Sequence, residues 1–334
     1  MKVRMTLLAG IAAAALLSGV PDVGAQATEK TTQTQGEFFM TEPKAFTLEV
    51  PGASIYYERQ GSGPPLLIIP GGPQDAGVFA ELSARLSHFY TVVTYDPRGN
   101  SRTTTDAPLG DLDLGVQADD AAALIDALGD GPAYVFGTSG GAQIGLELAV
   151  RHPAKVRTLV VHEPPAIMLL DDPTAQLAAD KDIHDTYKRE GVDAAMAKFF
   201  GMNDLDAGPG HGAEGQAAGE VPADAEPAGP PGSDMPPEAA ETFVRVSGNF
   251  EYWLAHGMLP LSTYRPDVAA LKAGAPRIVV AIGEGSAGQP IEEMGRALAK
   301  SLETAPVAFP GDHMGFEPHA QQFAEVLRRS FAGK

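Results

Sequence analysis

Short apolar runs recur along this chain, and most are followed by a stretch whose apolar positions repeat every three to four residues. "FTLEV" (46–50) and "SIYYERQ" (54–60) read as paired strands joined at Pro51-Gly52. "LLIIP" (66–70), "TVVTYD" (91–96), "AYVFG" (133–137), "VRTLVVHE" (156–163), "RIVVAIG" (277–283) and "APVAF" (305–309) are apolar enough to be buried strands. Helical periodicity covers 76–88, 114–128, 141–152, about 290–302 and a last segment from about 317. Apolar strands alternating with helices predict an α/β fold: a mostly parallel, doubly wound sheet covered on both faces.

The alternation breaks between residues 164 and 266, where helical patterns at 174–190, 192–200 and 237–256 follow one another with no strand run. This interval is expected to be a helical cap inserted into a core made of 46–163 and 267–334. Inside it, 206–237 holds seven glycines, seven prolines, six acids and no Lys or Arg, too little apolar surface to order itself. A flexible loop is expected there. At the start, Lys2 and Arg4 precede an apolar or small run from Met5 to Val20, and Ala25-Gln26-Ala27 supplies a small-x-small cleavage pattern. Residues 1–27 are therefore expected to be a secretory signal peptide and 28–45 a flexible leader, which predicts a secreted or periplasmic protein without a membrane anchor.

Composition narrows the chemistry. A formal net charge of −19 argues against nucleic-acid backbones and anionic membranes as partners and favours solubility. With no cysteine, disulfides, thiolate catalysis and cysteine-ligated metals are out. No phosphate loop, dinucleotide fingerprint or metal-ligand spacing occurs, so no cofactor and no metal is expected.

The chemistry gathers around Gly137-Thr138-Ser139-Gly140-Gly141. A serine is presented at a strand end only if the chain turns sharply into the next helix, and that turn demands small flanking residues. The strand before it and the helix after it mark Ser139 as a nucleophile. Among eight histidines, His313 in "FPGDHMGF" follows the last apolar strand, at the sheet edge where Ser139 also sits, and is the expected base. His162, beside the sixth strand, is its rival. For the oxyanion, the N–H of Gly140 is one donor; in Pro70-Gly71-Gly72-Pro73 the prolines have none to give, leaving Gly72 first and Gly71 behind it.

The order of "IIPGGP", "YDPRGNSRT", "GTSGG", "VVHEPP" and "FPGDHMGF" resembles the α/β-hydrolase superfamily in its capped, single-domain form, over roughly residues 46 to 331. The resemblance implies Ser139 as nucleophile, His313 as base, Gly72 and Gly140 as oxyanion donors, and a substrate pocket under the cap; Asp96 and Arg98 are implied to be structural. The acid departs from pattern. The superfamily's G-x-x-D turn reads Gly283-Glu284-Gly285-Ser286, with Ser286 at the expected position. Glu163 ends the sixth strand, the place from which certain haloalkane dehalogenases supply a carboxylate. A buried strand-end carboxylate needs a partner, and a histidine is the natural one. Glu163 is thus the expected acid, with Glu284 the alternative and Asp312 or no acid behind them.

These features predict a secreted serine hydrolase cleaving an ester, lactone or amide of a small, largely neutral molecule through an acyl-enzyme. Three alternatives stand beside it: a non-catalytic binding or receptor protein on the same fold, a cofactor-free oxygenase or perhydrolase, and a peptidase, since "PGGP" resembles the "HGGP" loop of prolyl aminopeptidases. In the cap, Phe243, Val246, Phe250 and Trp253 at helical spacing, with Phe199, Phe200 and Met202, are expected mainly to dock the cap on the sheet, one or two of them lining the pocket.

Overall fold

The computed structural model describes residues 42–129, 131–202 and 235–333. The expected signal peptide, nearly all of the leader and all but the last three residues of the 206–237 loop lie outside them.

The strands are β1 (Lys44–Val50), β2 (Ala53–Gln60), β3 (Pro65–Ile69), β4 (Thr91–Tyr95), β5 (Thr104–Thr105), β6 (Ala133–Thr138), β7 (Val156–His162), β8 (Arg277–Gly283) and β9 (Val307–Phe309). They form one sheet in the order β1-β2-β4-β3-β6-β7-β8-β9, with β5 against β2. From β4 to β9 neighbouring strands are parallel; β1–β2, β2–β4 and β2–β5 are antiparallel. Because β1 begins at Lys44, ordered strand takes the last two residues assigned to the leader.

The core helices are α1 (Ala80–Leu86), α2 (Leu114–Leu128), α3 (Gly140–Arg151), α8 (Val268–Ala273), α9 (Pro290–Ser301) and α10 (Ala320–Ala332). Side chains of a strand alternate between faces, so each central strand feeds two cores. Leu67 and Ile69 of β3 join α2, α3 and α9 on one side, while Leu66 and Ile68 join α1 and α10 on the other. The expected helix over 76–88 is a 3-10 turn at Ala76–Phe79 running into α1.

Between β7 and β8 lie α4 (Thr174–Glu190), α5 (Val192–Met202), α6 (Pro237–Tyr252) and α7 (Met258–Thr263). A π-helical turn at Trp253–Gly257 joins α6 to α7, so the helical run reaches Thr263 rather than stopping at residue 256. These helices have a core of their own. Phe250, Trp253 and Leu254 pack with Ile183, Met196 and Leu261, and Phe199, Phe200 and Val246 lie against them. The aromatic stripe expected to dock the cap on the sheet thus mostly holds the cap to itself.

Candidate active site

Ser139 stands between β6 and α3 with φ 53° and ψ −127°, a conformation that costs a non-glycine residue energy and that the surroundings impose. The reason lies in the close approach of chain segments. A β-carbon on Gly141 would fall 2.2 Å from the Ile69 carbonyl oxygen, so only glycine lets α3 start this near β3. Ser139 N–H donates to the His162 carbonyl at 2.9 Å, which pins the elbow to the end of β7.

The Gly71–Gln74 turn closes beside the elbow. Gln74 N–H donates to the Gly71 carbonyl at 2.9 Å, and Gly71 N–H is itself taken by Gln74 Oε1 at 2.9 Å. Gly71 is therefore removed as an oxyanion donor. Gly72 is left: it has φ +43°, and among the described residues its N–H meets no acceptor. A β-carbon built on Gly140 would lie 3.2 Å from Gly72 N, so the two glycines face one another. Gly140 opens α3, where the first N–H groups have no intrahelical partner and the helix dipole favours negative charge.

His313 sits in the turn after β9, its side chain 15% exposed, and its Nδ1 lies 2.8 Å from Glu163 Oε2. Glu163 is wholly buried, with φ 45°, and its Oε1 accepts the Gly283 N–H at 2.8 Å. Burial alone would push this carboxyl up, but the His313 bond and the neighbouring imidazoles outweigh it and hold the group at about 2. Ser286, at the position where the superfamily keeps its acid, is wholly buried beside Glu163. Glu284 is exposed on its 3-10 turn, and Asp312 Oδ1 accepts Met314 N–H at 2.9 Å. The structure brings Glu163, and neither of the other two carboxylates, to His313.

His162 is the spacer between these parts. Its backbone carbonyl holds Ser139, its Nδ1 lies 3.1 Å from Thr138 Oγ1, and its ring stacks on His313 with centroids 6.4 Å apart. It is fully buried among Phe136, Phe309, Phe316 and Phe323, and burial drives its pKa down to about 4. A neutral, enclosed imidazole cannot reach a substrate, so the rival base is removed. The Ser139 hydroxyl and the His313 ring are not hydrogen-bonded to one another in this structure; such bonds commonly tighten only when substrate arrives.

Beside Gly72 and Gly140 is a cavity of about 10 Å³, room for one water, lined in part by Pro70, Ile144, Tyr252, Trp253 and Leu261. Trp253 and Leu261 bring the cap down onto the two glycines. Among the described residues no cluster of side chains has the make-up of a metal site.

A family model for the alpha/beta hydrolase fold matches residues 64–203. The uncharacterized hydrolase YraK of Bacillus subtilis (strain 168) is 32% identical over 288 residues, covering 84% of this chain and 93% of its own. The chain belongs to the α/β-hydrolase family. The zearalenone hydrolase of Cladophialophora bantiana is 36% identical over a shorter stretch of 117 residues, 34% of this chain and 44% of that protein. Among solved structures, the enol-lactonase from Burkholderia xenovorans LB400 superposes with a TM-score of 0.63 at 19% identity, over 86% of this chain and all of that one, a likeness of fold alone.

Two features of this α/β-hydrolase were not apparent from its sequence. Asp96 and Arg98 are buried in ion pairs, with Arg102 and Asp120 respectively, as their structural role requires. The residue after next, Asn100, instead reaches into the Gly71–Gln74 turn, donating from Nδ2 to the carbonyls of Gly72 and Gln74 at 2.9 Å. Asn249 of α6 reaches the same turn through Pro73. The sequence separation between these partners leaves no local signal.

Proposed function

We propose that this protein is a serine hydrolase that cleaves an ester, lactone or amide bond of a small, largely neutral molecule through an acyl-enzyme. The observation that carries this reading is the Glu163–His313 pair at 2.8 Å, set at the sheet edge that also holds Ser139 and the adjoining glycines Gly72 and Gly140. Ser139 Oγ attacks the carbonyl carbon while His313 Nε2 takes its proton. Glu163, held to Nδ1, fixes the tautomer that leaves Nε2 free and stabilises the imidazolium. The N–H groups of Gly72 and Gly140 receive the tetrahedral oxyanion, and donors aimed beforehand stabilise the charge that develops there. Collapse expels the alcohol or amine, which takes the proton from His313. Water then attacks the acyl carbonyl by the same route and releases the acid.

The relatives' names favour this class: a hydrolase, a zearalenone hydrolase and, by fold, an enol-lactonase. A neutral substrate fits the net charge of −19, which repels anions at long range. The alternative of a non-catalytic binding protein rested on the irregular acid position, and the Glu163–His313 pair weighs against it.

The test is a panel of short-chain p-nitrophenyl esters and a lactone with the wild type and Ser139→Ala. The wild type is expected to turn over at least one of them, and the variant to lose about 10³-fold or more in kcat while keeping its fold. A variant as active as the wild type would remove Ser139 from the chemistry.

A further inference from the structure

The Gly71–Gln74 turn that presents Gly72 N–H is gripped from the cap as well as from the core. On α6, Arg245 and Asn249 are four residues apart and so share a face. Asn249, 5% exposed, uses its whole amide: Nδ2 donates to the Pro73 carbonyl at 2.8 Å and to Ser101 Oγ at 2.9 Å, and Oδ1 accepts Ser101 N–H at 2.8 Å. Arg245 Nε donates at 2.7 Å to Oδ2 of Asp75, whose carboxylate is wholly buried and whose Oδ1 accepts Gly77 N–H at 2.8 Å. From the core side, Asn100 holds the Gly72 and Gln74 carbonyls. Ser101, bonded to Asn249, has φ 46°, a costly conformation for a non-glycine residue in the turn after β4.

We propose that Asn249, supported by Arg245, is a positioning residue for the oxyanion donor: the cap sets the place of Gly72 N–H by bonding the carbonyl of the next residue. This rests on the reading of Gly72 as an oxyanion donor. The physical argument is one of freedom. Gly71 and Gly72 carry no side chains to pack, Gly72 occupies φ +43°, and a glycine pair left to itself samples many backbone states. Transition-state stabilisation by a backbone N–H depends on its being aimed beforehand. Three carbonyls of the turn, those of residues 72, 73 and 74, are each held by an asparagine amide, and the one bonded from the cap is Pro73. The cap then does more than cover the site.

The experiment compares Asn249→Ala and Asn249→Asp with Ser262→Ala, which breaks a bond to Asp180 inside the cap without touching the turn. The aspartate keeps the size and an acceptor for Ser101 but loses the donor to Pro73. Each variant is measured on one ester, and its affinity for a trifluoromethyl ketone, which forms an oxyanion adduct, is determined. Either Asn249 variant that folds, judged by circular dichroism and thermal midpoint, is expected to lose about 10- to 100-fold in kcat, as a misaimed donor does, with KM within about threefold. Ketone affinity should fall by the same factor as kcat/KM, and Ser262→Ala should resemble the wild type in both. A folded Asn249 variant with kcat within about twofold of wild type, a rise in KM alone, or an equal loss in Ser262→Ala overturns the positioning role. Undiminished activity in Ser139→Ala is the separate result that would remove the serine reading beneath it.

Discussion

Glu163 illustrates how one residue can be strained, buried and charged together. Its φ of 45° aims the carboxylate back across the sheet edge, where one oxygen meets Gly283 N–H and the other His313 Nδ1. With its pKa lowered from 4.5 to about 2, the group is ionised across the working range, as a base-orienting acid must be. A carboxyl depressed in the folded state adds stability above its unfolded pKa and loses it as pH falls from about 4.5 towards about 2. Glu163→Gln keeps the volume but removes the charge opposite the imidazolium, so kcat should fall by about 10²- to 10⁴-fold, as for other triad acids. Glu284→Gln, altering an exposed side chain, should remain within about twofold of the wild type. Measuring kcat for both on one ester checks this, and the opposite ranking would return the acid to the turn after β8.

At the level of elements, what could be read in the sequence was whatever is dictated locally. The elbow is a strand, a serine among glycines and a helix, all contiguous between Ala133 and Arg151, and its glycines answer to contacts that leave no space for a β-carbon. Gly141→Ala should therefore abolish activity and, as an overpacking change at a backbone contact, cost about 1–3 kcal/mol in urea unfolding. Wild-type stability and turnover in that variant would mean the elbow is looser than the structure shows. The helix that runs on past residue 256 was illegible for the opposite reason. Pro260 reads as a stop because it has no N–H for the carbonyl four residues before it. That carbonyl, on His256, instead accepts the Leu112 N–H at 2.8 Å, from a loop far away in the chain. The π-turn before α7 likewise leaves an apolar pattern close to that of an ordinary helix. Glu163 was legible because a buried carboxylate needs a partner; Asn100 and Asn249 were not, because amides suit any surface.

Across the whole molecule, two hydrophobic cores lie on either side of the sheet and a third lies within the cap, and the imidazole of His162 is enclosed among the rings of Phe136, Phe309, Phe316 and Phe323. Its pKa of about 4, below 6.5, sets the sign of a global effect. Unfolding lets it bind a proton, so its stabilising share is full above about 6.5 and is lost as pH falls towards about 4, by up to about 1.4 kcal/mol per pH unit. His162→Phe, aromatic but not titrating, should flatten the stability curve over that window in denaturant titrations; an unchanged slope would show that the loss arises elsewhere. The central claim concerns Ser139 and is tested most directly by covalent labelling. The native protein is treated with a fluorophosphonate, and intact mass and peptide mapping are read. We expect one phosphonyl group on Ser139 Oγ with fluoride released, slowed strongly in Glu163→Gln and absent in Ser139→Ala. An unlabelled wild type, or a label on any other residue, would contradict the account.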